Sequence, residues 1–257
     1  MLITLFLTAP SLKKHADISL LDGRFIAHRG LHDIPPAGCP ENSLAAFEEA
    51  AKRGYPIEND IHLTADGRVV VFHDDSLKRM CGVDRKPEEM TLAEIKKYRL
   101  AATDQTVPTL EECLETVGGR VPLLIEFKAT SKKGSYALCD AADKILSDYK
   151  GKYLIQSFYP FVLGWYKKHR PEVCRGQLSS GFYHDPLSHR LLGCLLFNFI
   201  GRPHFISYEY KYKNNIFFRL NRLLGAHPIC WTLTSQEALD SVKKQFKSYI
   251  FEGFIPR

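Results

Sequence analysis

The chain has 257 residues, 45% of them hydrophobic and 25% charged, with 17 Gly and 14 Pro; this ordinary globular composition excludes disordered, collagen-like and coiled-coil classes. The length suits one α/β barrel of about 250 residues or two small domains. The formal charge of +6 is modest and the Lys and Arg are spread along the chain, without the dense basic stripe usual in nucleic-acid binding, so no nucleic-acid partner is expected and a mild pull on anionic substrates or lipid headgroups is.

The N-terminal "MLITLFLTAPSLKKH" lacks a preceding basic region and a small-x-small cleavage site, which makes it a poor signal peptide. It is also shorter than the roughly 20 apolar residues that span a bilayer. It reads as a strand or helix packed on the barrel base; the alternative is a peripheral membrane foot. The apolar run "LLGCLLFNFIG", residues 191–201, is equally short and reads as a core helix. Seven cysteines, at 39, 81, 113, 139, 174, 194 and 230, are odd in number and widely spaced with no Cys-x-x-Cys. That suits neither a disulfide framework nor a zinc site, and points to buried thiols in a reducing, cytoplasmic setting.

Along the chain, short apolar runs alternate with helical patterns. Strands are expected at 24–28, 55–63, 121–127, 152–158, 174–180, 204–210, 227–233 and 248–254. Helices are expected at 42–53, 109–116, 135–149, 161–169, 186–199, 215–224 and 235–246. This alternation argues a parallel (β/α)8 TIM barrel in a single domain over residues 1–257, with a short polar insertion at about 76–105. No helix follows the eighth run, and the N-terminal segment is expected to supply that cover. A ninth run, "VVVFHD" at 69–74, follows "LTADG"; Asp-Gly between strand runs signals a hairpin arm after the second strand. With the turn centred near Ala65 and Asp66, paired residue numbers sum to about 131, which returns His73 opposite Glu58.

Alternation along a strand puts Glu58 and Asp60 on one face, with His62 beside them. Glu126 and Lys128 repeat the pattern at the end of the third run, and barrel active sites form where the C-terminal strand ends converge. Three carboxylates from two strands suit a hard divalent cation such as Mg2+ or Ca2+. They also suit surface charges or structural ion pairs at a barrel mouth, and the spacing fits both. His28 and Arg29 end the first run in "AHRG"; His73 ends its own in "FHD", where Asp74 can orient the imidazole. Two histidines of near-neutral pKa can take a proton from an attacking oxygen and give one to a leaving oxygen, while Arg29 offers phosphate a planar fork. Phosphodiester cleavage is what this set would do.

At these residues the sequence resembles the glycerophosphodiester phosphodiesterase family. "AHRG", "PENSLAAFEEAAKRG", "IENDIHLTADGRVVVFHDDSLKRMCG", "VPTLEECL", "LLIEFK", "QSF" and "CWTL" follow the family's order from Phe25 to Leu233. The resemblance implies a (β/α)8 barrel that hydrolyses glycerophosphodiesters to glycerol 3-phosphate and an alcohol with a divalent cation, Mg2+ or Ca2+. It implies His28 and His73 as general base and acid, and Glu58, Asp60 and Glu126 as metal ligands. Arg29 and Lys128 would bind phosphate, and Trp231 would line the glycerol pocket. Glu41 of "PENS" matches a family position as well, beside Asn42 and Ser43, which read equally as helix caps. In such enzymes the glycerol 2-hydroxyl attacks phosphorus, giving a cyclic phosphate that water opens. The family often ends its last strand with Thr-Asp-x-Pro, whereas this chain reads "IFEGFIPR", so Glu252 and Pro256 stand in only loosely. A lysophospholipase D-type activity on lipids, and a non-catalytic binding barrel, are the alternative readings.

Overall fold

A computed structural model describes residues 2–33, 39–129, 131–181 and 187–257, with only the backbone of residues 187–189. In chain order the elements are α1 (Leu2–Thr8), β1 (Phe25–Ala27), α2 (Leu44–Lys52), β2 (Ile57–Leu63), β3 (Val69–Val71), α3 (Lys78–Cys81), α4 (Leu92–Ile95), α5 (Leu110–Val117), β4 (Leu123–Phe127), α6 (Lys132–Leu146), β5 (Tyr153–Ser157), α7 (Pro160–His169), β6 (Arg175–Ser179), α8 (Leu187–Gly193), α9 (Asn198–Gly201), β7 (Phe205–Glu209), α10 (Ile216–Leu223), β8 (His227–Leu233), α11 (Gln236–Val242) and β9 (Ser248–Phe251). All eight expected strands are present and, with their helices and the extra β3, they make the fold the (β/α)8 barrel that the sequence implied. The described residues group into two compact units, 1–26 with 153–257 and 27–152.

In the first unit the strand order is β1-β9-β8-β7-β6-β5. Tyr208 of β7 stacks on Phe218 of α10 at 4.7 Å, and Phe218 on Phe246 at 5.1 Å; burying such a side chain fully contributes roughly 1.5–3 kcal/mol. The N-terminal segment is a helix, α1, with Thr8 fully buried. Asn198 donates to the Thr8 carbonyl at 2.9 Å, and Arg202 donates to the carbonyls of Phe6 and Ala9 at 2.8 Å each. The single helix expected over 186–199 is instead α8 and α9, separated by Leu195 at φ 56°; its expected first residue, Pro186, lies outside the described residues.

In the second unit β2 pairs with β4 in parallel, with β3 antiparallel, and through Ile57 with Ala27 of β1. Six of the seven β2 residues are buried, Glu58 and Asp60 among them, because a parallel strand is covered on both faces. The hairpin forms with a register one residue from that expected. Ile61 pairs with Val71 and His62 with Val70, so paired numbers sum to 132, and the turn centres on Asp66, with Thr64 N donating to the Arg68 carbonyl at 2.8 Å. β3 ends at Val71, so His73 lies beyond the ladder rather than paired with Glu58. The segment after it is less polar inside than its composition suggested. Leu77, Met80, Met90, Ile95, Leu100 and Val107 pack with Val70 and Phe72 into an apolar cluster of their own. Thr91 and Glu94 form a capping box at α4, and Thr109 and Glu112 at α5; each satisfies otherwise orphaned N–H groups.

Candidate active site

The C-terminal end of β1 turns sharply. Arg29 (φ 54°) and Gly30 (φ 82°) are both left-handed, and a Cβ on Gly30 would stand 2.9 Å from Ala46, so this turn requires glycine. Across it, Asn42 N donates to the Arg29 carbonyl and Leu31 N to the Ala46 carbonyl, both at 2.9 Å. The start of α2 is thereby bound to the loop carrying His28 and Arg29. Ser43 caps α2 through Ala46 N. Asn42 does not cap; its Nδ2 donates to Asp60 Oδ2 at 2.9 Å.

Glu58, Asp60 and Glu126 come together as the strand alternation required. Each is at least 95% buried, and each offers a carboxylate oxygen within 4.8 Å of the others. Lys128 Nζ stands 2.7 Å from Glu126 and 3.1 Å from Asp60. Arg29 N donates to Glu58 Oε2 at 3.3 Å, and Arg29 Nε lies 3.7 Å from Asp60. Burial and the neighbouring charges of Asp60 and Glu126 raise the Glu58 pKa well above the usual carboxylate range. Burial pushes Glu126 up to about 7 against the pull of Lys128. Burial also disfavours the Asp60 anion, but Lys128, His73, Arg29 and His28 outweigh it and hold that carboxyl low. Three hard oxygen donors with this much crowded negative charge fit a divalent cation.

His28 Nε2 lies 4.0 Å from Glu58 Oε2. His73 Nδ1 meets Asp74 Oδ1 at 2.7 Å, as the "FHD" motif suggested, and burial lowers the His73 pKa. Burial works against the Asp74 anion, yet hydrogen bonds from Arg79 and His73 keep it at about 2. Glu41 accepts from Arg29 at 2.9 Å and from Arg79 at 2.6 and 3.0 Å. His62, expected on the Glu58 face, is buried and bonds to Glu88 of the insertion at 2.7 Å and to the His73 carbonyl at 3.4 Å. Trp231 lies in the first unit on β8, edge-on to Phe158 at 5.8 Å. Glu252 lies there too, its N donating to the Leu233 carbonyl. Sequence reasoning missed Arg79, Asn42 as a site residue and Glu88. Asn42 had a signal in its place within "PENS"; Arg79 and Glu88 sat in a stretch with no recognisable period.

Residues 28–255 match the glycerophosphoryl diester phosphodiesterase family. Glycerophosphodiester phosphodiesterase 1 of Bos taurus is 29% identical over 229 residues, 83% of this chain and 62% of the relative, so the chain spans less than two thirds of that protein's length. A glycerophosphodiester phosphodiesterase of Bacillus altitudinis is 29% identical over 63% of the chain and 69% of its own length. Among solved structures, a phosphodiesterase of Oleispira antarctica in complex with the product sn-glycerol-3-phosphate superposes with a TM-score of 0.75 at 24% identity, over 92% of this chain and 94% of that one. A glycerophosphodiester phosphodiesterase of Thermotoga maritima gives 0.68 at 26% identity, over 88% and 93%. With a family match from His28 almost to its last residue, the chain belongs to the glycerophosphoryl diester phosphodiesterase family.

Proposed function

We propose that residues 1–257 act as one barrel domain that hydrolyses glycerophosphodiesters to glycerol 3-phosphate and an alcohol. The observation that carries this is the buried Glu58–Asp60–Glu126 cluster flanked by His28, His73 and Arg29. Glu58, Asp60 and Glu126 would hold Mg2+ or Ca2+, which when bound neutralises nonbridging phosphate oxygens and orients the ester. Arg29 and Lys128 supply fixed positive charge to the same oxygens. Glu41 holds the Arg29 fork. His28 takes the proton of the attacking glycerol 2-hydroxyl, and His73, its imidazole oriented by Asp74, protonates the leaving alcohol. Water then opens the cyclic phosphate with these roles reversed. The product complex of the Oleispira antarctica neighbour supports the product named here. Seven free cysteines, five of them buried, support a reducing, cytoplasmic setting.

The test is glycerol 3-phosphate release from glycerophosphocholine, with EDTA and with Mg2+ or Ca2+ restored. Release should need the metal, and His28→Ala and His73→Ala should each lose about 10²–10⁴-fold in rate with the fold intact. An analogue lacking the 2-hydroxyl should resist cleavage. Full activity of either histidine variant would refute the assignment. Lysolipid turnover is the second reading, favoured by the exposed apolar side chains of α1; rates on lysolipid micelles and on glycerophosphocholine separate the two.

A further inference from the structure

Within the first unit, α1 is held by polar anchors and leaves its apolar side chains in water. Asn198 and Arg202 bind its last carbonyls, Thr8 is buried, and the Arg202 guanidinium lies 4.7 Å over the Phe6 ring. Yet Leu2 is 78% exposed, Ile3 76%, Phe6 60% and the following Leu12 77%. Phe6 is partly covered, by Arg202 and by the Phe199 ring at 6.3 Å, but a short helix fixed this way with Leu2 and Ile3 left exposed has the build of an interfacial foot. Leu2, Leu5, Phe6 and Leu12 line a groove of about 510 Å³ together with Lys13 and Leu224.

Ser11 and Lys13 are shared with a second cleft, of about 760 Å³, at the N-terminal ends of β7, β8 and β9. Its cations come from three separate stretches of chain: Lys13 and Lys14 after α1, Arg219 and Arg222 on α10, and Lys243, Lys244 and Lys247 between α11 and β9. Asp22 is the only acid among its described lining residues, and Leu223, 85% exposed, stands at its rim. Cations dispersed in sequence thus form one basic surface continuous with an apolar one.

We propose that this combined surface docks the protein on an anionic phospholipid membrane, with α1 and Leu12 entering the headgroup–acyl boundary and the lysine cleft facing the lipid phosphates. The apolar half selects a bilayer over a nucleic acid, which would meet Ile3 and Phe6 with no favourable contact. The basic half selects anionic over zwitterionic lipid, each Lys or Arg near such a surface being worth about fivefold in partitioning. No described helix is long and apolar enough to cross a membrane, and the contact proposed is an interfacial one.

The experiment is sedimentation of the full chain with phosphatidylcholine vesicles, with and without one third phosphatidylserine, at low and high salt. Binding should require phosphatidylserine and weaken with salt. Lys244→Glu/Lys247→Glu should weaken it by about 25-fold or more, and Phe6→Glu by about tenfold or more. Both variants should keep the wild-type melting temperature and rate on glycerophosphocholine. No binding to anionic vesicles, or binding that neither variant alters, overturns the proposal. So does retention on heparin or duplex DNA without vesicle binding, which would assign the cleft to a polyanion. Sedimentation reads docking without turnover, so its outcome is independent of which substrate the site hydrolyses.

Discussion

Arg79 grips Asp74 with two hydrogen bonds, Nε to Oδ2 at 2.7 Å and Nη2 to Oδ1 at 2.9 Å. The same guanidinium donates to Glu41 at 2.6 and 3.0 Å. Asp74 holds His73, and Glu41 holds Arg29. One side chain from α3 of the insertion therefore braces both an imidazole and a guanidinium of the candidate site.

Arg79→Ala is expected to lower kcat by roughly 10–100-fold, because small displacements of reacting groups cost that much. Stability should fall by less than about 1 kcal/mol, since the Arg79 side chain is 49% exposed and its ion pairs are solvent-screened. Arg79→Lys has no planar fork and should not restore the rate. A pH–rate profile checks the route: with Asp74 released, the limb that depends on the His73 imidazole should move, whereas a purely structural defect would leave it in place.

The carboxylate cluster sets binding against stability. In EDTA, three buried acids around one lysine repel, and Glu58 shows this through its raised pKa. Glu58→Gln should therefore stabilise the metal-free protein by about 1 kcal/mol or more, roughly 2–4 °C in Tm at this size. The same change removes a candidate ligand. Titration calorimetry with Mg2+ and Ca2+ should show weaker binding, and the Tm gain caused by saturating metal should shrink. A Tm that falls in EDTA would mean that Glu58 is a stabilising ion-pair partner instead.

The insertion is the second structural support. Leu77 is fully buried in its apolar cluster, one residue before the helix that carries Arg79. Leu77→Ala should cost about 2–5 kcal/mol by cavity formation. It should also reduce activity below that of a surface control of equal Tm, because Arg79 and the His62–Glu88 contact both depend on this segment. Melting curves and rates measured on the same preparations separate the two effects.

Wherever one strand sufficed to argue from, the sequence was readable. The period of two placed Glu58 with Asp60 and Glu126 with Lys128, and the Asp-Gly turn announced β3. The register slipped by one because the turn closes on Thr64 and Arg68, a hydrogen bond that composition does not reveal. Leu77, Met80, Met90, Ile95, Leu100 and Val107 fit no single helical or strand period, so their cluster read as a polar loop, and Arg79 stayed hidden with it. The basic cleft was invisible for a related reason: Lys13, Arg219 and Lys244 are neighbours only through the fold.

Acid sensitivity should come largely from buried neutral histidines. The Ser248 hydroxyl donates to the Leu21 carbonyl at 2.7 Å, so its oxygen accepts from His227 Nε2–H, also at 2.7 Å. Burial lowers the His227 pKa to about 4, against the pull of Asp22 3.9 Å away and with the push of Lys247. Unfolded, this imidazole titrates at about 6.5. Between those values the unfolded chain binds the extra proton, so stability is full above pH 6.5 and falls as pH drops toward 4, by about 1.4 kcal/mol per unit and about 3 kcal/mol in all. His227→Gln keeps a donor to Ser248 without the titration. Urea unfolding of both proteins from pH 4 to 7 should show the variant less stable than wild type at pH 7 and the gap closing on acidification. Parallel curves would place the acid-labile group elsewhere, with His204, held at about 3 by burial and by Arg175 and His15, the next to replace.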